Sequence, residues 1–377
     1  MIVALVLLWY GAVPVAGALY SRFKWRQFRR RFDELRLRPL LHYAVCRRLQ
    51  KTGGTFRFIG GFESITDGHT LWVQGEDLTI PVSLAGAQAW LLPMQQGEGI
   101  PEDFDPGEEA PERIRWDRIS TLTEGARVYV GGELTFQNER WSFVSSRETP
   151  LLVIIYDCPD RVLTPVVIRA GRHRNEYWNT ATPYALIAGA LCQIYIAVSF
   201  LNRPAFRLTV IAALVALFIP VMPMIPPGLL FTVLYRRLAW QARILRAYRD
   251  LSRLPLRYLA PGENSCRLPD GEIYGGIPYQ KLPDAAREGK VPLLIPEQLK
   301  EGKHSSWYIC GALQAGQTLP TEPADPFAVY GILPGKPEQL SHRYALIAYT
   351  LEAAAWLALL AGIALNIFFI RMILILL

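Results

Sequence analysis

An integral membrane protein with four helical spans and two β-rich soluble domains, built as an internal duplication, is the fold class this sequence predicts. Three observations carry it. Apolar residues make up 51% of the 377-residue chain and charged residues 19%, a balance suited to a bilayer rather than to water. Four segments, 1–20, 183–201, 208–235 and 344–370, approach or exceed the roughly 20 apolar residues that a helix needs to cross a bilayer. Two of them are followed by nearly the same mixture of arginine, tryptophan and proline, "LYSRFKWRQFRRRFDELRLRPLLHYA" and "LYRRLAWQARILRAYRDLSRLPLRYLA".

The first span, 1–20, has a rival reading, because "AGA" at 16–18 looks like a signal-peptidase site. No basic residue precedes its apolar core, whereas Arg22, Lys24, Arg26, Arg29, Arg30 and Arg31 follow at once. That distribution opposes export of what comes next, and a retained anchor is expected. Residues 21–44 should then form a basic helix, with Phe23, Phe28, Phe32 and Leu35 between the arginines and Pro39 closing the run. Beside a span, such a helix lies against anionic headgroups, each surface Lys or Arg contributing about 1 kcal/mol. Arg22, Trp25, Arg26, Arg29 and Arg30 are the expected membrane-interface residues, joined by Arg237, Trp240 and Arg243 of a second basic helix at 236–254. A nucleic-acid site would interleave aromatics along an exposed groove; the two tryptophans fit interface anchoring better.

Residues 45–182 read as the first β-rich domain. "TFRFIGGF", "HTLWVQ", "DLTIPVSL", "ARVYVGGELTF", "RWSFVSS" and "LLVIIYD" are β-branched and aromatic runs bounded by turn residues. A hairpin is expected at Gln137–Glu139, and "TDGHT", with Asp67 and His69, suits a type I′ turn better than a catalytic dyad. The acidic run 97–114 is expected to be a solvated loop. Its carboxylates, Glu102 to Glu112, are broken up by prolines and lack EF-hand spacing, so no metal is assigned.

The span at 208–235 contains Pro220, Pro223, Pro226 and Pro227. It should be kinked or broken, with freed carbonyls needing new partners. Residues 255–342 form the second, smaller β-rich domain, expected to pack on the first for want of its own core. The last span, 344–370, holds Glu352, the one acidic or basic residue inside the spans.

The duplication rests on order. Tyr20 matches Tyr235, Arg22 matches Arg237, Trp25 matches Trp240, Arg31 matches Arg246 and Pro39 matches Pro255. "EGARVYVGGEL" then parallels "EGKHSSWYICGAL", and "PLLVIIYDCPDRVL" parallels "PFAVYGILPGKPEQL". Basic residues gather on one side of the four spans, which places 21–182 and 236–343 in the cytoplasm.

Chemical motifs are scarce. The five cysteines are widely spaced, the five histidines form no ligand pattern, and no P-loop, GxSxG or GxGxxG occurs. The paired glycines at 53–54, 60–61, 131–132 and 275–276 read as turns and bulges. No cofactor is assigned.

"LTEGARVYVGGELTF", "ETPLLVIIYD" and the basic approach "RAGRHRNEYW" resemble the GIDE-type (BAM, "beside a membrane") domain over residues 1–202. That domain occurs in mitochondrial membrane ubiquitin ligases and in bacterial and archaeal relatives. The ligases end in a RING zinc domain, for which this chain lacks the cysteines, so ligase activity does not carry over. The resemblance implies a membrane-adjacent binding or scaffolding domain.

The expectation is therefore a non-enzymatic scaffold or regulatory subunit in a bacterial inner membrane. Its partners would be anionic headgroups and other membrane proteins, a second copy included, and not nucleic acid. The alternative is a transport component using the broken third span and Glu352. If Glu352 serves helix packing, Glu352→Gln should be tolerated, since an amide keeps hydrogen bonds and lowers the insertion penalty.

Overall fold

The computed structural model describes the chain apart from residues 50–52, 93–111, 115–125, 138, 147, 171–176, 260–262, 285–290, 296–305, 315, 317–318 and 377. Its helices are α1 (Ile2–Arg36), α2 (Tyr43–Arg48), α3 (Asp160–Arg169), α4 (Thr182–Phe200), α5 (Arg207–Leu217), α6 (Gly228–Ser252) and α7 (Pro337–Leu376). Two compact units emerge. One comprises Met1–Arg26, Gly171–Arg246 and Tyr344–Leu377, the other Gln27–Ala170 and Ala247–Arg343.

The first unit is helical. Three helices, α1, α4 and α7, are long and apolar enough to cross a membrane. The expected single span at 208–235 is not one helix. It stops at Leu217 and resumes at Gly228, with the four prolines falling in the gap. Proline removes a backbone donor and clashes with the carbonyl four residues back, so the ladder cannot run through.

Each freed carbonyl that can be traced has found a donor. Buried Asn366 on α7 donates to the carbonyls of Met222 and Ile225, and its Oδ1 accepts from Gly228 N–H at 3.3 Å. Thr232 donates to the Pro223 carbonyl at 2.6 Å. In α1 the same problem arises at Pro14, where a π-helical turn occupies Leu7–Ala12. The Tyr10 carbonyl, four residues back, accepts instead from the Tyr177 hydroxyl at 2.6 Å, while Asn179 donates to the Pro14 carbonyl at 2.8 Å. Close packing of α1 on α4 depends on Gly189: a Cβ there would lie 2.4 Å from the Tyr10 ring.

The second unit is built on a five-stranded barrel. Strands β1 (Gly54–Thr66), β2 (Thr70–Gln74), β3 (Thr79–Ser83), β4 (Gln88–Leu91), β5 (Glu112–Ile114), β6 (Arg127–Gln137), β7 (Arg140–Val144) and β8 (Leu152–Tyr156) form one sheet. Its order is β1-β2-β3-β7-β6-β8-β4-β5, and β1 also pairs with β6, closing a barrel β1-β2-β3-β7-β6. With β3 and β7 parallel, this is the connectivity of an OB-type Greek-key barrel. Phe58, Leu71, Val73, Ile80, Val82, Val128, Val130 and Phe143 fill its interior.

On the outer face, the last turns of α1 pack on β6 and β4. Phe28, Phe32 and Leu35 recur at helical spacing and are all but fully buried. Phe32 stacks on Tyr129 with ring centroids 5.3 Å apart, and Phe28 on Trp90 at 4.7 Å. This face of the expected interface helix is therefore taken up by the barrel and does not reach lipid.

The second soluble stretch forms a four-stranded sheet: β9 (Ser265–Arg267), β10 (Ile273–Tyr279), β11 (Trp307–Ala312) and β12 (Gly331–Leu333), in the order β12-β11-β10-β9. It belongs to the same compact unit as the barrel, and, contrary to the expectation that it would want a core, Val291, Trp307, Ile309 and Ile332 form a small apolar cluster of its own. Buried ions connect them. Arg57 on β1 pairs with Asp325 and donates to the Arg38 carbonyl at 2.6 Å, its guanidinium 5.2 Å from the centre of the Phe327 ring. Arg36 bonds Asp33 at 3.1 Å and the Tyr258 hydroxyl at 2.8 Å, and Arg257 completes Asp33.

The turn at Asp67–Gly68 has positive φ at both residues, 53° and 67°, as a type I′ turn requires. The hairpin at Gln137–Glu139 also forms, with Gln137 opposite Arg140. The paired glycines differ from expectation. Gly60–Gly61, Gly131–Gly132 and Gly275–Gly276 lie inside β1, β6 and β10, not in turns. Space explains two of them, since a Cβ on Gly60 would sit 2.3 Å from the Gln74 carbonyl and one on Gly132 would meet Leu151 at 2.5 Å.

Removing one partner of a buried ion pair leaves the other uncompensated, at about 3–5 kcal/mol. Asp325→Ala should thus lower the thermal midpoint of the second unit sharply, read by circular dichroism of the detergent-purified chain. A wild-type midpoint would show that Arg57 does not need its partner.

Candidate functional site

Glu352 is not a solitary carboxylate. Its Oε1 accepts from Arg22 Nη2 at 2.5 Å and its Oε2 from Arg246 Nη1 at 3.2 Å. One carboxylate on α7 thereby gathers α1 and α6, all within the helical unit. The group is partly shielded, with 24% of the Glu352 side chain accessible, and 31% and 14% of Arg22 and Arg246. Buried Tyr235 stands alongside, its ring 5.8 Å from that of Trp356, one turn beyond Glu352. Charge-assisted bonds to both oxygens satisfy the carboxylate more fully than a neutral partner would. Sequence reasoning singled out Glu352 and Arg22 separately; nothing in the pattern joined them to Arg246.

The expected interface residues divide into two groups. Arg22 is engaged by Glu352, and Arg29 donates to the Ala170 carbonyl at 3.2 Å. Arg30 is exposed and 4.0 Å from Glu34, and Arg26 is exposed. Trp25 is buried, so it is no lipid anchor: an indole enclosed by protein has no face left for the interface. In the second copy, Arg237, Trp240 and Arg243 come together with Arg236 and Trp178 around an open notch of about 440 Å³. Trp178 was not foreseen, for it lies on the approach to α4, outside the basic repeat.

A larger groove of about 670 Å³ lies in the second unit. Arg57 and Asp325 contribute to its lining, together with Arg127, Asp160, His42 and Asp77. Arg127 and the Tyr156 hydroxyl both bond Asp160, at 2.7 and 2.6 Å, so these charges are committed to one another. Among the described residues no three His, Cys, Asp or Glu side chains form a metal-binding group; the carboxylates from Glu102 to Glu109 lie outside the described residues. Burial pushes the Cys158 thiol up to about 11 and Cys310 up to about 12, which keeps both as unreactive thiols at neutral pH.

No protein-family model, curated protein or solved structure matches the chain.

The clasp reverses the expectation for Glu352→Gln. A glutamine would leave two guanidiniums without their anion, whereas Arg246→Gln leaves the carboxylate its bond to Arg22. Scaled down from the fully buried case because the group is partly accessible, Glu352→Gln should destabilise the helical unit by about 1–3 kcal/mol. Arg246→Gln should do so by less. Thermal unfolding in mild detergent measures both. Equal stability of Glu352→Gln and wild type would remove the clasp from the account.

Proposed function

We propose that the chain is a non-enzymatic membrane scaffold or regulatory subunit that presents duplicated β-rich domains at the cytoplasmic face of a bacterial inner membrane. The observation that carries this over transport is the Glu352 clasp. A carboxylate that relays protons or ions must exchange its partners during each cycle, whereas Glu352 has an arginine on each oxygen and ties three helices. The carbonyls freed at the broken segment are likewise taken up by Asn366 and Thr232, which leaves them unavailable to coordinate a passing solute.

In this reading α5 and the apolar start of α6 together make a fourth crossing, bent at its prolines. Support for the duplication comes from strand order. β1, β6 and β8 lie side by side, antiparallel, before α3. β10, β11 and β12 repeat that arrangement before α7. The arginines behind α1 and within α6 favour a cytoplasmic location for the β-rich parts.

Two measurements test the proposal. Single cysteines in an otherwise cysteine-free chain should be labelled by an impermeant thiol reagent in intact cells at Pro204 but not at Glu322. Purification in mild detergent should recover defined membrane-protein partners, and these should be lost when residues 255–342 are deleted. A labelled Glu322 position overturns the topology. Recovery of the chain alone, with solute or proton flux in proteoliposomes, would replace scaffolding by transport.

A further inference from the structure

A pocket of about 160 Å³ lies within the second unit, between α3, the end of α6 and the stretches 292–294 and 322–330. Its walls are apolar, with side chains from Leu251, Leu254, Leu294 and Val329. Pro165, Pro292, Pro323 and Pro326 stand among them, and their fixed φ holds the walls in place. The charges that touch the lining are matched. Asp325 is held by Arg57, and half-exposed Arg161 on α3 meets half-exposed Glu322 at the rim. One polar group is left over. Thr164 on α3 lines the pocket and is 3% exposed, and its hydroxyl has no hydrogen-bond partner among the described residues. A helical threonine can satisfy its hydroxyl on a carbonyl three or four residues back. Thr164 does not, and a hydroxyl buried without any partner is destabilising.

We propose that this pocket binds a neutral, ring-sized apolar molecule carrying one hydrogen-bonding group, which Thr164 holds. Size sets the first limit, since a cavity of about 150 Å³ lined by apolar side chains is enough for benzene. Charge sets the second. With Asp325 and Arg161 already paired, the lining offers nothing to balance an ion, and burying one there is costly. The Thr164 hydroxyl sets the third, because it both donates and accepts and so selects a hydroxyl or carbonyl over plain hydrocarbon. Mostly apolar walls with few placed polar groups are the usual make-up of a small-molecule site. The Arg161–Glu322 pair favours a free molecule over the side chain of a docking protein. It ties two walls together at the rim, where a partner's backbone would have to pass. This inference concerns the second unit alone and rests on neither the topology nor the scaffold reading.

The test uses the full chain in mild detergent, with binding of 4-fluorophenol, fluorobenzene and 4-fluorobenzoate followed by fluorine NMR at neutral pH. Wild type should bind 4-fluorophenol about fivefold more tightly than fluorobenzene, and should not bind the 4-fluorobenzoate anion. In Thr164→Val, which keeps the shape and removes the hydroxyl, the two neutral probes should bind alike. The thermal midpoint of that variant without probe should equal or exceed that of wild type, because no protein hydrogen bond is lost. Leu294→Trp, which fills the pocket from a half-buried position, should bind neither neutral probe; Thr164→Val decides the matter even where Leu294→Trp fails to fold. No preference for 4-fluorophenol in wild type overturns the proposal, as does a preference undiminished in Thr164→Val, which would mark uptake by the detergent. A lowered midpoint in Thr164→Val also overturns it, by showing the hydroxyl already bonded within the protein. Recovery of membrane-protein partners should be unchanged by 4-fluorophenol. Their loss would assign the pocket to a partner's side chain and overturn the free ligand, while leaving the scaffold reading in place.

Discussion

Buried charge holds the soluble part of this protein together. Arg57 projects from β1 on the outside of the barrel, the side that a lone five-stranded barrel would leave in water. There it meets Asp325, the Arg38 carbonyl and the Phe327 ring. Arg36 and Asp33, from the last turn of α1, reach Tyr258 and Arg257 close by. The members of this group come from three parts of the chain: the barrel, the end of the first helix with the residues just after it, and the second soluble stretch. An ion buried without its partner is strongly unfavourable. The charges at the end of the first helix and on the outside of the barrel are therefore satisfied by residues more than two hundred positions downstream, which ties the small second sheet to the first. Hydrophobic contact adds to the same junction, with Tyr129 between Phe32 and Phe327.

The helical unit solves a different problem by similar means. Its helices are interrupted where prolines fall, and in lipid a broken backbone must be satisfied from within the protein. Neutral polar side chains do this work: Tyr177 and Asn179 at Pro14, Asn366 and Thr232 at the 218–227 bend. Glu352 differs in being charged, and it is placed where two arginines can reach it.

Much of this was legible in the sequence, for identifiable reasons. Apolar length gave α1, α4 and α7, and alternation of β-branched residues gave all the barrel strands and β8. The short strands β4 and β5 escaped because four or three residues carry too little pattern, and α3 because its proline and mixed composition resembled a loop. Proline content foretold the break in the third apolar segment. The residues that answer it were missed, since an asparagine or threonine inside an apolar run attracts less notice than a glutamate. Trp25 and Trp240 occupy the same place in the repeat, and no local signal distinguishes the buried indole from the exposed one. That difference arises from what packs around each copy. The glycine pairs misled in a similar way: their role is set by close approach between strands far apart in sequence, as at Gly60 and Gln74.

The pairing of Asn366 with the bend at Met222–Gly228 has a bearing on how the chain is made. The donor and the carbonyls it serves are separated by about 140 residues, and Arg22 waits for Glu352 across 330. While the ribosome is still synthesising the second soluble stretch, the Met222 and Ile225 carbonyls lack the Asn366 amide and Arg22 lacks the Glu352 carboxylate. Both needs are met only when α7 enters the membrane. The helix translated after α1 to α6 is thus the one that closes the bundle, and a chain lacking α7 leaves these polar groups without the partners that Asn366 and Glu352 supply.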